Sequence, residues 1–199
     1  MKKKKNNSSH RLIELLLSSN TSPESINKLM EAGKILVIKK RNKVVAVGDV
    51  CDKGFFILEG GFISRVYNEK TKTSRTQNFF LEDFNPFMSC EDSYFSGEKT
   101  MTDLLAIRDS LVLQFTKSDL ESLIAINGDL GAFFTNHILV NALNQESTLR
   151  KVLNAYTKEE IYNYLIEDCN SVIKYVPAKY IAEFIGISEE WLSKTKKKI

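Results

Sequence analysis

The 199-residue sequence holds three cysteines, Cys51, Cys90 and Cys169, and two histidines, His10 and His137. An odd number of widely spaced cysteines argues against a disulfide framework and for reduced thiols. No Cys or His pair has the spacing of zinc ligands, and an iron–sulfur cluster would need four thiolates, so neither a metal nor a cofactor is expected. No strand-like segment contains a histidine and no nucleophile–base pairing is visible, which removes a metal-dependent barrel enzyme from consideration. Long apolar runs are missing as well. No stretch can span a bilayer and the lysine-rich start lacks the apolar core of a secretion signal, so the expectation is a cytoplasmic protein with no membrane partner.

The apolar content of 43% is enough for an ordinary core in one or two domains. The net charge of +3 is unevenly spread. Residues 1–11 hold five basic groups and no acid, residues 171–199 hold six basic against three acidic, and the stretch between is acidic. A basic end on an acidic body suits a protein that meets nucleic acid at one end. Lys2 to Lys5, followed by Asn6, Asn7, Ser8 and Ser9, reads as a solubilising tail.

Along the chain, Leu12 to Leu17 and Ile26 to Met30 read as two short helices, the second capped by Thr21 or Ser22 at Pro23. From Lys34 the runs become β-branched, with Ile35 to Ile38 and Val44, Val45 and Val47 split by the turn Arg41-Asn42-Lys43. Strands continue to about residue 116, punctuated by Gly48-Asp49, Lys53-Gly54, Gly60-Gly61, residues 68–72 and Gly97-Glu98, at intervals that suit a small antiparallel barrel. Lys117 to Asn127 and Asp129 to Leu153 read as helix. In the second of these, apolar residues lie on two sides, a wider surface than one neighbour requires. Thr157 and Glu160 form a capping box before Ile161, Tyr164 and Leu165.

At the C-terminal end, Pro177 starts a helix carrying Tyr180, Ile181, Phe184 and Ile185, and Gly186 ends it. Ser188 then caps a second helix with Glu189, Glu190, Trp191 and Leu192. Two short helices meeting at a sharp turn, with Ala182 allowing close crossing, read as a helix-turn-helix whose second helix grows basic through Lys194, Lys196, Lys197 and Lys198. The run YIAEFIGISEEWLSKTKKKI resembles the C-terminal helix-turn-helix of the Crp/Fnr family of bacterial transcription regulators, with Pro177, Tyr180, Ile181, Ala182, Gly186, Ile187, Leu192 and Ser193 matching. Lys194 stands where that family has arginine. The segment VVAVGDVCDKGFFILEGGFISRVY resembles the glycine-marked hairpins of the family's cyclic-nucleotide-binding jelly roll, through Gly48, Asp49, Phe55, Phe56, Ile57 and Gly60.

The resemblance implies an α+β fold with an N-terminal antiparallel β jelly roll (double-stranded β-helix), a long dimerisation helix and a C-terminal helical helix-turn-helix domain. Its boundaries would be 1–125 for the effector or sensor domain, 126–153 for the helix and 154–199 for the DNA-binding domain, with a hinge near Asn154-Ala155-Tyr156. Implied partners are double-stranded DNA, a second copy of the chain, a small-molecule effector and RNA polymerase. The expected DNA-binding set is Pro177, Ala178, Lys179, Ser188, Glu189, Glu190, Ser193, Lys194, Lys196, Lys197 and Lys198, and the expected dimer set is Phe133, Phe134, Ile138, Val140, Ala142 and Leu149. An effector pocket is expected around Phe79, Glu91, Asp92, Ser93, Tyr94 and Lys99. The arginine that would pair with a cyclic phosphate is missing, its place falling near Thr100 or Met101, which argues against a cyclic nucleotide. The alternative is a ligand-binding or protein-interaction module on the same fold without productive DNA binding, favoured by Glu189 on the reading helix and by the chain's end directly after it.

Overall fold

The computed structural model describes residues 9–196. Helices α1 (His10–Ser18) and α2 (Pro23–Ala32) precede eight strands, β1 (Lys34–Ile38), β2 (Lys43–Val45), β3 (Lys53–Glu59), β4 (Gly61–Asn68), β5 (Thr73–Leu81), β6 (Phe87–Met88), β7 (Thr102–Ala106) and β8 (Ser110–Thr116). A short helix, α3 (Glu91–Tyr94), lies between β6 and β7. Helices α4 (Lys117–Ile126), α5 (Gly128–Phe133), α6 (Val140–Ala155), α7 (Lys158–Glu167), α8 (Asn170–Tyr175), α9 (Ala178–Ile185) and α10 (Glu189–Lys196) complete the described chain.

The strands form two four-stranded antiparallel sheets, ordered β1-β8-β3-β6 and β2-β7-β4-β5, which face each other as the expected jelly roll. Between them lie Phe55, Ile57, Phe62, Phe80, Leu104 and Val112. Residues of the opposite parity are buried too. Phe56, Leu58, Leu113 and Phe115 pack under α1, α2, α4 and α5, whereas Ile63, Phe79, Leu81, Leu105 and Ile107 pack under the C-terminal helices. A strand covered on both faces needs consecutive apolar residues rather than alternation, which explains pairs such as Phe55-Phe56 and Phe79-Phe80. The molecule is thus layered, with helices outside each sheet and one core between the sheets.

Local chemistry fixes the element ends. Ser22 accepts the Ser25 N–H at the start of α2, with Pro23 in the first turn. Thr157 and Glu160 make the reciprocal capping box of α7. Two sequence expectations are corrected. Gly54 lies inside β3 rather than at a turn, and its lack of a side chain makes room for Phe87, which an added Cβ would meet at 2.9 Å. The helix expected over residues 129–153 is also not uniform: α5 and α6 are joined by a π-helical segment, Phe134–Leu139.

A π turn holds an extra residue, so side chains after it are displaced around the axis by about 100°. Just before the slip and at its first residue, the Phe133 and Phe134 rings lie 6.3 and 5.8 Å from that of Phe56 on the barrel. After it, Leu149 and Val152 turn into the C-terminal core. The dimer set is corrected accordingly. Phe133 and Leu149 are buried within the chain, and Phe134 and Ile138 pack on its own core. Val140 and Ala142 remain exposed, next to Leu139 and Leu143, which are 50% and 60% exposed. No single helix among the described residues is long and apolar enough to cross a membrane.

Candidate nucleic-acid interface

The last two helices are built around Gly186. Its φ of 79° and ψ of 45° place it in the left-handed region, and the N–H groups of Gly186 and Ile187 both donate to the Ala182 carbonyl, at 2.8 and 3.0 Å. Ser188 then accepts the Trp191 N–H through its hydroxyl, at 3.1 Å, and caps α10. Tyr180, Ile181, Ala182, Phe184 and Ile185 of α9 and Leu192 of α10 are buried in one core. This is a helix-turn-helix in geometry as well as in sequence pattern.

Three α9 carbonyls would be left over at its C-terminal end. Each finds a donor from elsewhere. Arg75 of β5 donates to the Glu183 and Phe184 oxygens at 2.9 and 3.3 Å, and Lys158 of α7 donates to the Ile185 oxygen at 2.8 Å. Cations at this end also complement the helix dipole. The Glu183 side chain meets the Arg65 guanidinium and accepts the Thr76 hydroxyl at 2.9 Å. Arg65 and Thr76 are cross-strand partners beside a β-bulge in the β4–β5 pair, and the Phe79 and Phe184 ring centroids are 4.9 Å apart. The first helix of the pair is therefore seated on the outer face of the β2-β7-β4-β5 sheet.

That seating leaves the second helix displayed. Leu192 and Thr195 point inward, whereas Ser188, Glu189, Glu190, Ser193 and Lys194 are exposed together on the other side. Ala178 and Lys179 are exposed at the start of α9, with Pro177 half-buried in the N-cap position rather than inside the first turn. Lys196 closes α10, and Lys197 and Lys198 lie outside the described residues.

Of the residues expected to form an effector pocket, Glu91, Asp92, Ser93 and Tyr94 make up α3, whereas Phe79 lies in β5. Phe79 is a correction: it is 2% exposed and belongs to the core between the barrel and α9. Glu91 and Lys99 are exposed on the surface. Asp92 folds back instead of facing a ligand, accepting the Thr100 hydroxyl at 2.8 Å and the Met101 N–H at 3.1 Å. Ser93, fully buried, accepts the Cys51 N–H at 2.8 Å and donates to the Glu98 carbonyl. The Tyr94 carbonyl accepts from Lys117, whose ammonium lies 5.2 Å from the Tyr94 ring, and burial pushes the phenol up to about 12.

Where the sequence lacks an arginine, the donors of Thr100 and Met101 are thus already taken by the chain's own carboxylate. An incoming phosphate would meet Asp92 instead of a cation. A cavity of about 230 Å³ lies nearby, lined by Val44, Val45, Asp49, Val50, Cys51 and Lys53, and contains none of the expected pocket residues. All three cysteines are free and buried.

A jelly roll joined through a helix to a helix-turn-helix defines a two-part architecture. No sequence-family model and no curated protein matches the chain. Solved structures do match. FixK2 from Bradyrhizobium japonicum aligns at 14% identity over 83% of both chains, with a TM-score of 0.67. The c-di-GMP responsive global regulator CLP of Xanthomonas campestris aligns at 12% identity, over 89% of this chain and 91% of that one, with a TM-score of 0.66. A protein of Eubacterium rectale described as a Crp/Fnr-family transcriptional regulator aligns at 11% identity, over 92% and 85%, with a TM-score of 0.62. The chain has the fold of the Crp/Fnr transcription regulators.

Proposed function

We propose that this protein is a sequence-specific, DNA-binding transcription regulator of the Crp/Fnr type, acting as a homodimer in the cytoplasm and without enzymatic activity. The observation that carries the reading is α10, anchored by Leu192 on one side and presenting Ser188, Glu190, Ser193 and Lys194 to solvent on the other. A helix so held enters a major groove with its N-terminal half against base edges. Glu190 suits cytosine N4, and Lys194 suits a guanine acceptor without arginine's fork. Residues 154–199 would read DNA, residues 1–125 would sense a signal, and the exposed stripe of Leu139, Val140 and Leu143 would pair two copies. The alignments to regulators support this division. The occupied donors of Thr100 and Met101 favour an effector other than a cyclic nucleotide.

Selection of bound sequences from a random duplex pool tests the reading. The expected result is a two-fold symmetric motif with half-sites about one helical turn apart, or a multiple of that. Lys194→Ala is expected to weaken recovery of the motif while leaving the melting temperature unchanged, because the side chain is exposed. A second reading, an interaction module without productive DNA binding, is favoured by the exposed acids Glu189 and Glu190 on the same face. It expects no motif at any salt concentration.

A further inference from the structure

Two of the three thiols are neighbours. The pairing of β3 with β6, Phe55 opposite Met88 and Phe56 opposite Phe87, brings the chain entering β3 alongside the chain leaving β6. Cys51 lies on the first of these segments and Cys90 on the second, at the N-cap of α3, and both are buried in the core between the sheets. Residues on either side of Cys90 tie the two together. The Ser89 hydroxyl donates to the Lys53 carbonyl at 2.9 Å and lies 3.7 Å from Cys51 Sγ, while the Ser93 hydroxyl accepts the Cys51 N–H at 2.8 Å.

The two sulfurs are unequal. The Cys90 thiol donates to the Cys51 sulfur, and this bond, helped by backbone groups of Lys53 and Cys90 and by the Ser89 hydroxyl, outweighs burial and pulls the Cys51 thiol down to about 5. The same bond, together with burial, pushes the Cys90 thiol far up. The titratable groups facing the pair are Asp49, Asp52 and Lys53 beside Cys51, and Glu91, Asp92 and Tyr94 on α3. The acids among them oppose a thiolate, so hydrogen bonds rather than charge hold it. The thiolate is the nucleophilic form of cysteine.

Cys51 also has access to solvent. It is 3% exposed, yet it lines the cavity of about 230 Å³, whose walls include the exposed residues Asp49, Val50 and Asp52. The Lys53 ammonium is drawn towards Asp52, at 3.9 Å. Two acids at this entrance disfavour anions, and the volume suits a small molecule. Cys169 is the contrast: it is buried in the C-terminal core, and burial pushes its thiol up.

We propose that Cys51 and Cys90 form an oxidisable dithiol, in which Cys51 attacks a small neutral hydroperoxide and Cys90 closes the disulfide. In the first step the Cys51 thiolate forms an S–O bond as the O–O bond breaks, and the hydroxide released takes up the proton that Cys51 lost on ionising. Cys51 is then a neutral sulfenic acid, so the charge that held the proton on Cys90 is gone. Cys90 next attacks the Cys51 sulfur, the S–O bond breaks, and hydroxide leaves with the Cys90 proton as water. In sum, two thiols and one hydrogen peroxide give one disulfide and two waters, the sulfurs losing the two electrons that the peroxide gains. The site lies within residues 1–125, and its chemistry stands whether or not α10 reads DNA.

The test treats the full chain with hydrogen peroxide, then counts thiols and maps peptides. The expected result is loss of two thiols per chain, a Cys51–Cys90 peptide pair two hydrogen atoms lighter than its reduced form, an intact Cys169, and recovery with a dithiol reductant. Cys51→Ser is expected to slow thiol loss roughly tenfold or more, because the thiols left hold almost no thiolate. Cys90→Ser, and Cys90→Ala in case the hydroxyl disturbs the core, are expected to stop at a Cys51 sulfenic acid that a cyclic diketone traps. From about pH 8 to about pH 6 the wild-type rate should hold, whereas an ordinary thiol slows by nearly two orders of magnitude. A rate that falls in that way overturns Cys51 as the nucleophile. Retention of all three thiols, or disulfides through Cys169 or between chains, overturns the dithiol. A dianionic aromatic disulfide that reacts as fast as peroxide overturns the choice of a small neutral oxidant.

Discussion

Arg65 of β4 and Glu183 of α9 form a two-armed ion pair, with the guanidinium Nη2 and Nε at 3.1 and 3.3 Å from Glu183 Oε2. Both side chains are more than two-thirds buried, and the pair joins the barrel to the helix-turn-helix. Removing one partner leaves the other desolvated without compensation, which costs more than the intact pair contributes. Glu183→Gln and Arg65→Gln are each expected to destabilise the chain by roughly 1–3 kcal/mol. Urea unfolding checks this, and the double variant should lose less than the sum of the single losses, because the two side chains act as one unit.

Gly186 answers two demands at once. Its left-handed backbone disfavours any side chain, and a Cβ there would lie 2.5 Å from the Arg75 Nη2. Gly186→Ala is expected to cost about 1 kcal/mol or more in backbone strain alone. Moving Arg75 aside adds to that and releases its two carbonyl bonds. Chemical denaturation of Gly186→Ala, Arg75→Ala and the double variant separates the contributions. The double variant should be more stable than the two single losses added together.

Acid should loosen the N-terminal helices before it unfolds the barrel. Asp129 accepts the Ser22 N–H at 2.9 Å and the Ser25 hydroxyl at 2.7 Å, and these bonds hold its carboxyl well below the ordinary value. A depressed folded pKa means that the added stability is present above the unfolded value of about 4 and is lost as the pH falls below it. Amide protection in α1 and α2, taken relative to the intrinsic exchange rate at each pH, is expected to fall on acidification below about pH 4. Asp129→Asn should exchange faster at neutral pH and lose most of that acid response.

Leu143→Glu tests pairing of the chain. The side chain is 60% exposed, so the substitution should leave the folding of one chain nearly unchanged. If Leu139, Val140 and Leu143 form the contact between copies, sedimentation should show the wild type as a dimer and the variant as a monomer.

The helix-turn-helix was legible because its signals are local: an apolar period of 3.6, a glycine at the turn, and a serine cap. The capping box at Thr157 and the Ser22 cap were legible for the same reason. The seating of α9 on the barrel was not, since Arg65 and Glu183 are 118 residues apart and neither has a neighbour in sequence that marks it. Phe79 read as a pocket residue because a strand apolar on successive positions does not say what covers its outer face. Asp92 was singled out as a pocket carboxylate, yet its partners Thr100 and Met101 come from the next strand's approach, which spacing does not reveal. The π segment was hidden too. Its sequence, FTNHIL, fits an ordinary helix, and only the two-sided spread of apolar residues hinted at a change of phase.

That segment also sets how the two ends of the molecule are clocked. Each residue of a regular helix rotates the rest of the chain by about 100° and advances it by about 1.5 Å. If the same residues of Phe134–Leu139 ran as regular α-helix, everything after them would be carried about 100° further around the axis. Arg65 would then no longer face Glu183, and Arg75 would no longer reach the last carbonyls of α9. The irregular turn is in this sense an alignment device: one surplus residue sets the angle at which the reading helices meet the barrel.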